Sequence, residues 1–208
     1  MPGGRRAGPT RTRQEIIDAA RGAFATRGYD AVSMRGIARD AGVDAALVHH
    51  YFESKSALFA AAMELPVAPE RFVASLLKGD PETLGQRLVL AVVGLWDRPG
   101  GFDGMLGLIR GAVSHADAAR LLREFLTREI LGRLAAAAAP DAPQARAALA
   151  GAQIIGLAMA RKIASIEPIA DADPQWLAAT VGPVIQRYLT APLPAPGRPP
   201  TAAGTRRR

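Results

Sequence analysis

The chain has 208 residues and a formal net charge of +7, with no cysteine and few aromatic residues. The lack of cysteine excludes disulfides, thiolate metal sites and thiol redox chemistry, and three histidines, two of them adjacent, leave a zinc site without a ligand set. No stretch has the order of a secretion signal, and the longest nearly uncharged run, Ala147 to Ala160, is too short to span a bilayer, so a cytoplasmic protein with no membrane partner is expected.

The basicity belongs to the ends. Arg5, Arg6, Arg11 and Arg13, with Arg198, Arg206, Arg207 and Arg208, outweigh the whole net charge and leave residues 14–191 slightly negative. Residues 1–10 are Gly, Pro and Arg without apolar period, which predicts a disordered basic arm suited to a DNA backbone. Thr12-Arg13-Gln14-Glu15 then fits a capping box, and Ile16, Ala20, Ala23 and Phe24 line one face of a first helix ending at Gly28.

The next stretch, Ser33 to Leu58, organises the rest. Ser33 is an N-cap residue, Ile37, Ala38 and Ala41 come after it at helical spacing, and Gly42 suits the left-handed backbone of a turn. Asp44 caps a second short helix to about Tyr51, and Ser54 caps a third beginning Lys55-Ser56-Ala57-Leu58. Two short capped helices around a Gly-Val turn form a helix-turn-helix whose second helix fits a major groove. Such pairs occur in many helical proteins. What adds weight here is the run His49-His50-Tyr51-Phe52, whose rings can bond phosphate and still pack. Tyr29, Val32, Ile37, Val48, Phe52 and Leu58 suffice for a small three-helix core, one that leans on the C-terminal two-thirds of the chain for stability.

From about Leu65 to Leu193 the pattern is helical, broken at Pro66, Pro69, Gly79-Asp80-Pro81, Pro99-Gly100-Gly101, Pro140 to Pro143 and Pro168 to Pro174. The spacing predicts helices over 70–78, 82–96, 102–114, 116–139, 144–166 and 175–189. In 144–166, Ala148, Ala152, Gly156 and Ala160 form a small-residue row while larger apolar residues cover the other faces, so this helix is expected to be buried nearly all round. The pattern alone leaves open whether the row is a subunit interface or internal core. Residues 192–208 predict a disordered Pro/Arg-rich tail.

From Thr12 to Leu58 the chain resembles the TetR family of bacterial transcriptional regulators, whose hallmark is this helix-turn-helix with a Tyr/His-rich run, Phe and a Ser-Lys helix start after it. The resemblance implies an all-α chain, with a helix-turn-helix DNA-binding domain over 11–62 joined to a larger helical effector-binding and dimerisation domain over 63–191. It implies a homodimeric, ligand-responsive repressor whose partners are double-stranded operator DNA, a second copy and a small lipophilic effector, with no cofactor and no metal.

Position by position, phosphate contacts then fall to Ser33, His50, Tyr51 and Lys55, and base contacts to Arg35, Ala45, Ala46, Leu47 and His49. The chain departs from the family pattern at Ala45-Ala46-Leu47, where polar or basic residues are usual. Alanine and leucine meet only thymine methyls, which shifts direct readout toward Arg35 and His49. Ser56 stands where an acidic residue is common. The dimer face implied is Ala148, Ala152, Gly156, Ala160, Trp176, Val184, Ile185 and Tyr188. Trp96, Phe102, Met105, Ile109, Phe125 and Met159 are the candidate walls of an effector cavity, with Arg110 and His115 as polar anchors. A competing reading is an effector-independent or architectural DNA-binding protein whose helical domain only dimerises, to be distinguished by whether a ligand-sized cavity exists. An enzyme is not expected: no paired carboxylates, phosphate loop or Ser-His-Asp set is present.

Overall fold

The computed structural model describes residues 9–194, and all regular structure among them is helical. The first four helices, α1 (Pro9–Arg27), α2 (Met34–Asp40), α3 (Ala45–Tyr51) and α4 (Lys55–Ala62), form a head. The body is built from α5 (Pro69–Leu77), α6 (Leu84–Trp96), α7 (Asp103–Ser114), α8 (Ala116–Phe125), α9 (Leu131–Ala138), α10 (Pro143–Ala158) and α11 (Pro174–Thr190).

Several expected boundaries move. Among the described residues helix α1 already runs from Pro9, so Thr12 lies inside the helix and its capping box is not the start. The rest of the expected basic arm, residues 1–8, lies outside the described residues, as do residues 195–208 of the expected tail. The helix expected over 82–96 opens with a 3₁₀ turn, Pro81–Thr83. The single helices expected over 116–139 and 144–166 are each interrupted by a π turn, Leu126–Ile130 between α8 and α9 and Met159–Ile163 after α10.

All six side chains expected to close the head are buried. At roughly 1.5–3 kcal/mol for each large apolar side chain removed from water, this core is small against the entropy of ordering four helices. The body completes it. Phe125, at the end of α8, packs its ring 4.4 Å from that of Phe59 and 5.9 Å from that of Tyr29, centroid to centroid. Phe24 joins the same cluster at 5.0 Å from Phe59 and 5.7 Å from Tyr29.

Within the body, α6 and α11 cross at the closest contact the backbone allows. A Cβ on Gly85 would overlap the carbonyl oxygen of Gly182, and one on Gly182 would fall on the backbone of Gln86. Gln186 fixes the crossing, accepting from the Gly85 N–H at 2.8 Å and donating to the Pro81 carbonyl at 3.0 Å. Two buried arginines tie up the ends. Arg146 is wholly buried, paired with Asp141, and donates to the Tyr188 and Ala191 carbonyls at 2.8 and 2.9 Å, satisfying acceptors that the end of α11 would leave orphaned. Arg161 pairs with Asp97 at 2.8 Å and donates to the Ile169 and Ala172 carbonyls, both at 2.9 Å. Burial pushes the Asp97 carboxyl up, but hydrogen bonds from Arg161 and Lys162 outweigh it and hold the group below its ordinary range.

The crossing gives a paired prediction. Gly85→Ala should lower the unfolding free energy by roughly 1–3 kcal/mol through overpacking. Gly94→Ala, in the same helix but with open space around the added methyl, should raise it by up to about 1 kcal/mol. Urea titrations of both variants check the contrast; equal effects would remove the close crossing as the constraint on α6.

Candidate nucleic-acid interface and effector cavity

The helix-turn-helix is set by local chemistry. The Ser33 hydroxyl oxygen accepts from the Gly36 N–H at 3.1 Å at the start of α2, and the Asp44 carboxylate accepts from the Ala46 N–H at 2.7 Å at the start of α3. Between them Gly42 takes a φ of +67°, a conformation that costs a side-chain-bearing residue energy. Val48 is buried beneath α3, which fixes the face the helix presents.

Of the expected DNA contacts, Ser33, Arg35, Ala46, His49 and His50 are exposed. Ala45, Leu47 and Tyr51 are half-buried, with Ala45 and Tyr51 packed against the core. The rings of His50 and Tyr51 meet edge to face at 5.3 Å. Arg13 places its guanidinium over the Phe52 ring at 5.2 Å, so α1 sets a cation beside the residue that ends α3.

Lys55 goes elsewhere. Its ammonium lies over the Tyr29 ring at 4.4 Å and donates to the Asp30 carbonyl at 3.4 Å, inside a polar joint between head and body. Burial lowers its pKa, with the neighbouring Asp30 carboxylate acting in the opposite sense. Lys55 stays half-exposed while making these contacts within the protein. The reason is tertiary: the position of Lys55 at the start of α4 puts it against Tyr29 and Asp30, which the sequence spacing does not show.

The same joint holds Ser54, Ser56, Glu70, Arg128, Glu129 and Arg133. The Tyr29 hydroxyl donates to Glu129 at 2.8 Å, Arg128 pairs with Asp30 at 3.0 Å, and the Asp30 N–H donates to Glu124 at 3.1 Å. Burial, and then the Glu129 bond, push the Tyr29 hydroxyl well above its ordinary pKa. Ser56 is buried and donates to the Glu70 carboxylate, which α5 brings to this spot. Burial alone would raise the Glu70 pKa, but the bonds from Ser56 and Ser54 bring it down.

The body encloses an apolar cavity of about 100 Å³ that opens toward solvent. Trp96, Met105, Ile109 and Phe125 line it as expected, joined by Phe72, Leu88, Val92, Leu122, Leu126, Ile130, Leu131 and Ile154. No lining residue is charged or carries a polar side chain apart from the indole of Trp96. The other expected members fall outside. Phe102 is buried behind the wall, its ring 5.7 Å from Trp96; Met159 faces solvent; Arg110 and His115 are exposed and anchor nothing in the cavity.

On the expected dimer face, Ala148, Ala152, Gly156, Trp176 and Val184 are exposed, whereas Ala160 and Tyr188 are half-buried. Ile185 is wholly buried inside the subunit, a correction that stems from the rotation of about 100° between neighbouring helical positions. Along helix α10 of the single subunit, Leu149 and Ile155 stand exposed beside the small row.

A helix-turn-helix head locked onto an all-helical body is the architecture of a DNA-binding transcriptional regulator, and the relatives of the chain agree. Residues 16–62 match the family described as bacterial regulatory proteins, tetR family, and residues 82–189 match the tetracyclin repressor-like C-terminal domain. The chain belongs to the TetR family of transcriptional regulators. Among solved structures, a TetR-family regulator from Streptomyces coelicolor A3 is 37% identical, with 90% of this chain and 99% of that chain covered and a TM-score of 0.46. GusR of Salmonella enterica is 20% identical over 88% of this chain and 98% of its own, with a TM-score of 0.48. NalD of Pseudomonas aeruginosa, a secondary repressor of a multidrug efflux pump, is 20% identical over 86% and 96%, with a TM-score of 0.40. No curated protein matches the sequence. Among the described residues no helix is long and apolar enough to cross a membrane.

The placement of Lys55 is open to a direct check. Each phosphate contact contributes about 0.9 to the slope of log affinity against log salt on duplex DNA. Lys55→Met should leave that slope for a random duplex unchanged within about 0.3. A loss near one unit would return Lys55 to the DNA surface.

Proposed function

We propose that the protein is a homodimeric repressor that holds a pseudo-palindromic operator and releases it when an uncharged lipophilic molecule fills the body. The observation that carries this is the apolar cavity in the body, whose wall offers no charge and almost no hydrogen bond. It favours a ligand-responsive regulator over a constitutive one. It also narrows the effector, because a charged group would enter without compensation. By linkage, such a molecule releases DNA only to the extent that it prefers the conformation unsuited to the operator.

DNA reading falls to the exposed surface of α2 and α3. Arg35 is the base reader, since a guanidinium can bond guanine O6 and N7 together; Ala46 and Leu47 meet thymine methyls, and His49 supplies a further polar contact. Ser33, His50 and Tyr51 take phosphates. Support for the dimer comes from the distribution of large exposed apolar residues, most of which lie between Leu149 and Val184 on α10, the segment after it and α11. Two heads carried by such a dimer would meet half-sites about one helical turn apart.

Selection of genomic fragments with the purified protein, and then binding to the recovered duplex and its scrambled control, tests the reading. A recovered pseudo-palindrome with a large preference is expected; binding without preference would overturn the repressor assignment. With that duplex, Arg35→Ala should lower operator affinity by roughly 10- to 100-fold, the worth of one bidentate base contact, and random-duplex affinity by only a few fold. Equal losses would end its role as a base reader. Trp176→Arg places a charge in the proposed interface and should convert a dimer to a monomer in sedimentation at micromolar concentration; an unchanged mass would locate the interface elsewhere.

A further inference from the structure

The cavity and the head share a wall. Phe125 lines the cavity and is also the ring that enters the aromatic cluster of the head. The π turn after it directs Leu126 and Ile130 toward the cavity, while Arg128 and Glu129 reach the opposite way to Asp30 and Tyr29. Glu129 is steadied from the body side by Arg133 at 2.6 Å.

The turn is a built feature. The Leu131 N–H bonds the Leu126 carbonyl, one residue further back than in an α-helix. The widened backbone brings the Thr127 carbonyl against Gly132, where any Cβ would overlap it. Leu131 in turn packs its side chain into the space left by the absent Cβ of Gly151. The turn closes its hydrogen bond five residues back where the flanking helices close theirs four back, so a change of register here would redirect the chain between α8 and α9.

From this juxtaposition we infer that Phe125–Ile130 is the relay between effector and DNA, with Glu129 and Arg128 as the positioning residues that hold the head through Tyr29 and Asp30. The inference rests on the effector cavity proposed above and adds how its occupation is passed on. A guest against Phe125, Leu126 and Ile130 shifts the turn, and the bonds from Glu129 to Tyr29 and from Arg128 to Asp30 open. The head then loses its fixed angle to the body. Neither Tyr29 nor Glu129 touches the cavity, so each can be altered without altering the wall.

The test uses the full chain and N-phenyl-1-naphthylamine, a neutral lipophilic fluorophore, as the cavity probe, with amide hydrogen exchange as the readout. The Asp30 amide reports the joint directly, because its donor is bonded to Glu124. Saturating probe should speed its exchange about tenfold in the wild type, within the usual range of coupling between sites. In Tyr29→Phe and in Glu129→Ala the probe should bind within about twofold of the wild-type affinity yet change that exchange by less than about twofold. A bound probe that leaves the Asp30 amide unmoved, or moves it equally in the variants, overturns the relay while the cavity reading stands. Failure of the probe to bind the wild type overturns the cavity reading and the relay with it. Tyr29→Phe keeps the ring in the cluster, so the result does not depend on whether Glu129→Ala remains fully folded.

Discussion

The insertion of Phe125 into the head is the contact on which the rest of the molecule depends. A four-helix head of this size has little apolar surface to bury on its own, and its central rings, Phe24, Tyr29 and Phe59, form a cluster that is complete only with a side chain from the body. The head is thus held at a defined angle by apolar packing, with the polar joint around it giving direction. Charged groups there are matched: Lys55, Arg128 and Arg133 against Asp30, Glu70 and Glu129. Most of these charges remain partly exposed, so the joint orients the head without the cost of desolvating them.

What was legible in the sequence was local. Ser33, Asp44 and Ser54 act as caps because a cap needs only a short side chain and the two or three amides just after it. The head core was legible for a similar reason, since apolar spacing determines which face of each helix turns inward. Directions set by distant segments were not. That Lys55 also lies over the Tyr29 ring and bonds the Asp30 carbonyl depends on a loop distant in sequence, which its neighbours in the chain do not show. The π turns were invisible to periodicity, which runs through them almost undisturbed. Gly132 was the available sign, a glycine in a helical pattern with no turn to explain it.

The candidate site shows the same division. Four expected cavity residues line it, all large and apolar, whereas the two polar anchors do not. Apolar residues at helical spacing must be buried somewhere, so a guess at the wall has the core behind it. Exposed Arg110 and His115 had no such constraint. Among the expected interface residues, Val184 and Ile185 are chemically alike and adjacent, yet one faces out and the other in. Composition cannot separate them; only the phase of α11 against α6, fixed by Gly85 and Gly182, does.

One last feature bears on how the protein can be watched. The chain has two tryptophans, and they stand at opposite ends of its behaviour. Trp96 is buried at the cavity wall, whereas Trp176 is half exposed on the outer face of α11. An indole in an apolar enclosure emits at shorter wavelength than one in water, so filling the cavity and covering the outer face would appear as separate spectral changes. The molecule therefore carries two intrinsic reporters, one turned inward and one outward, and needs no attached dye to tell occupation from association.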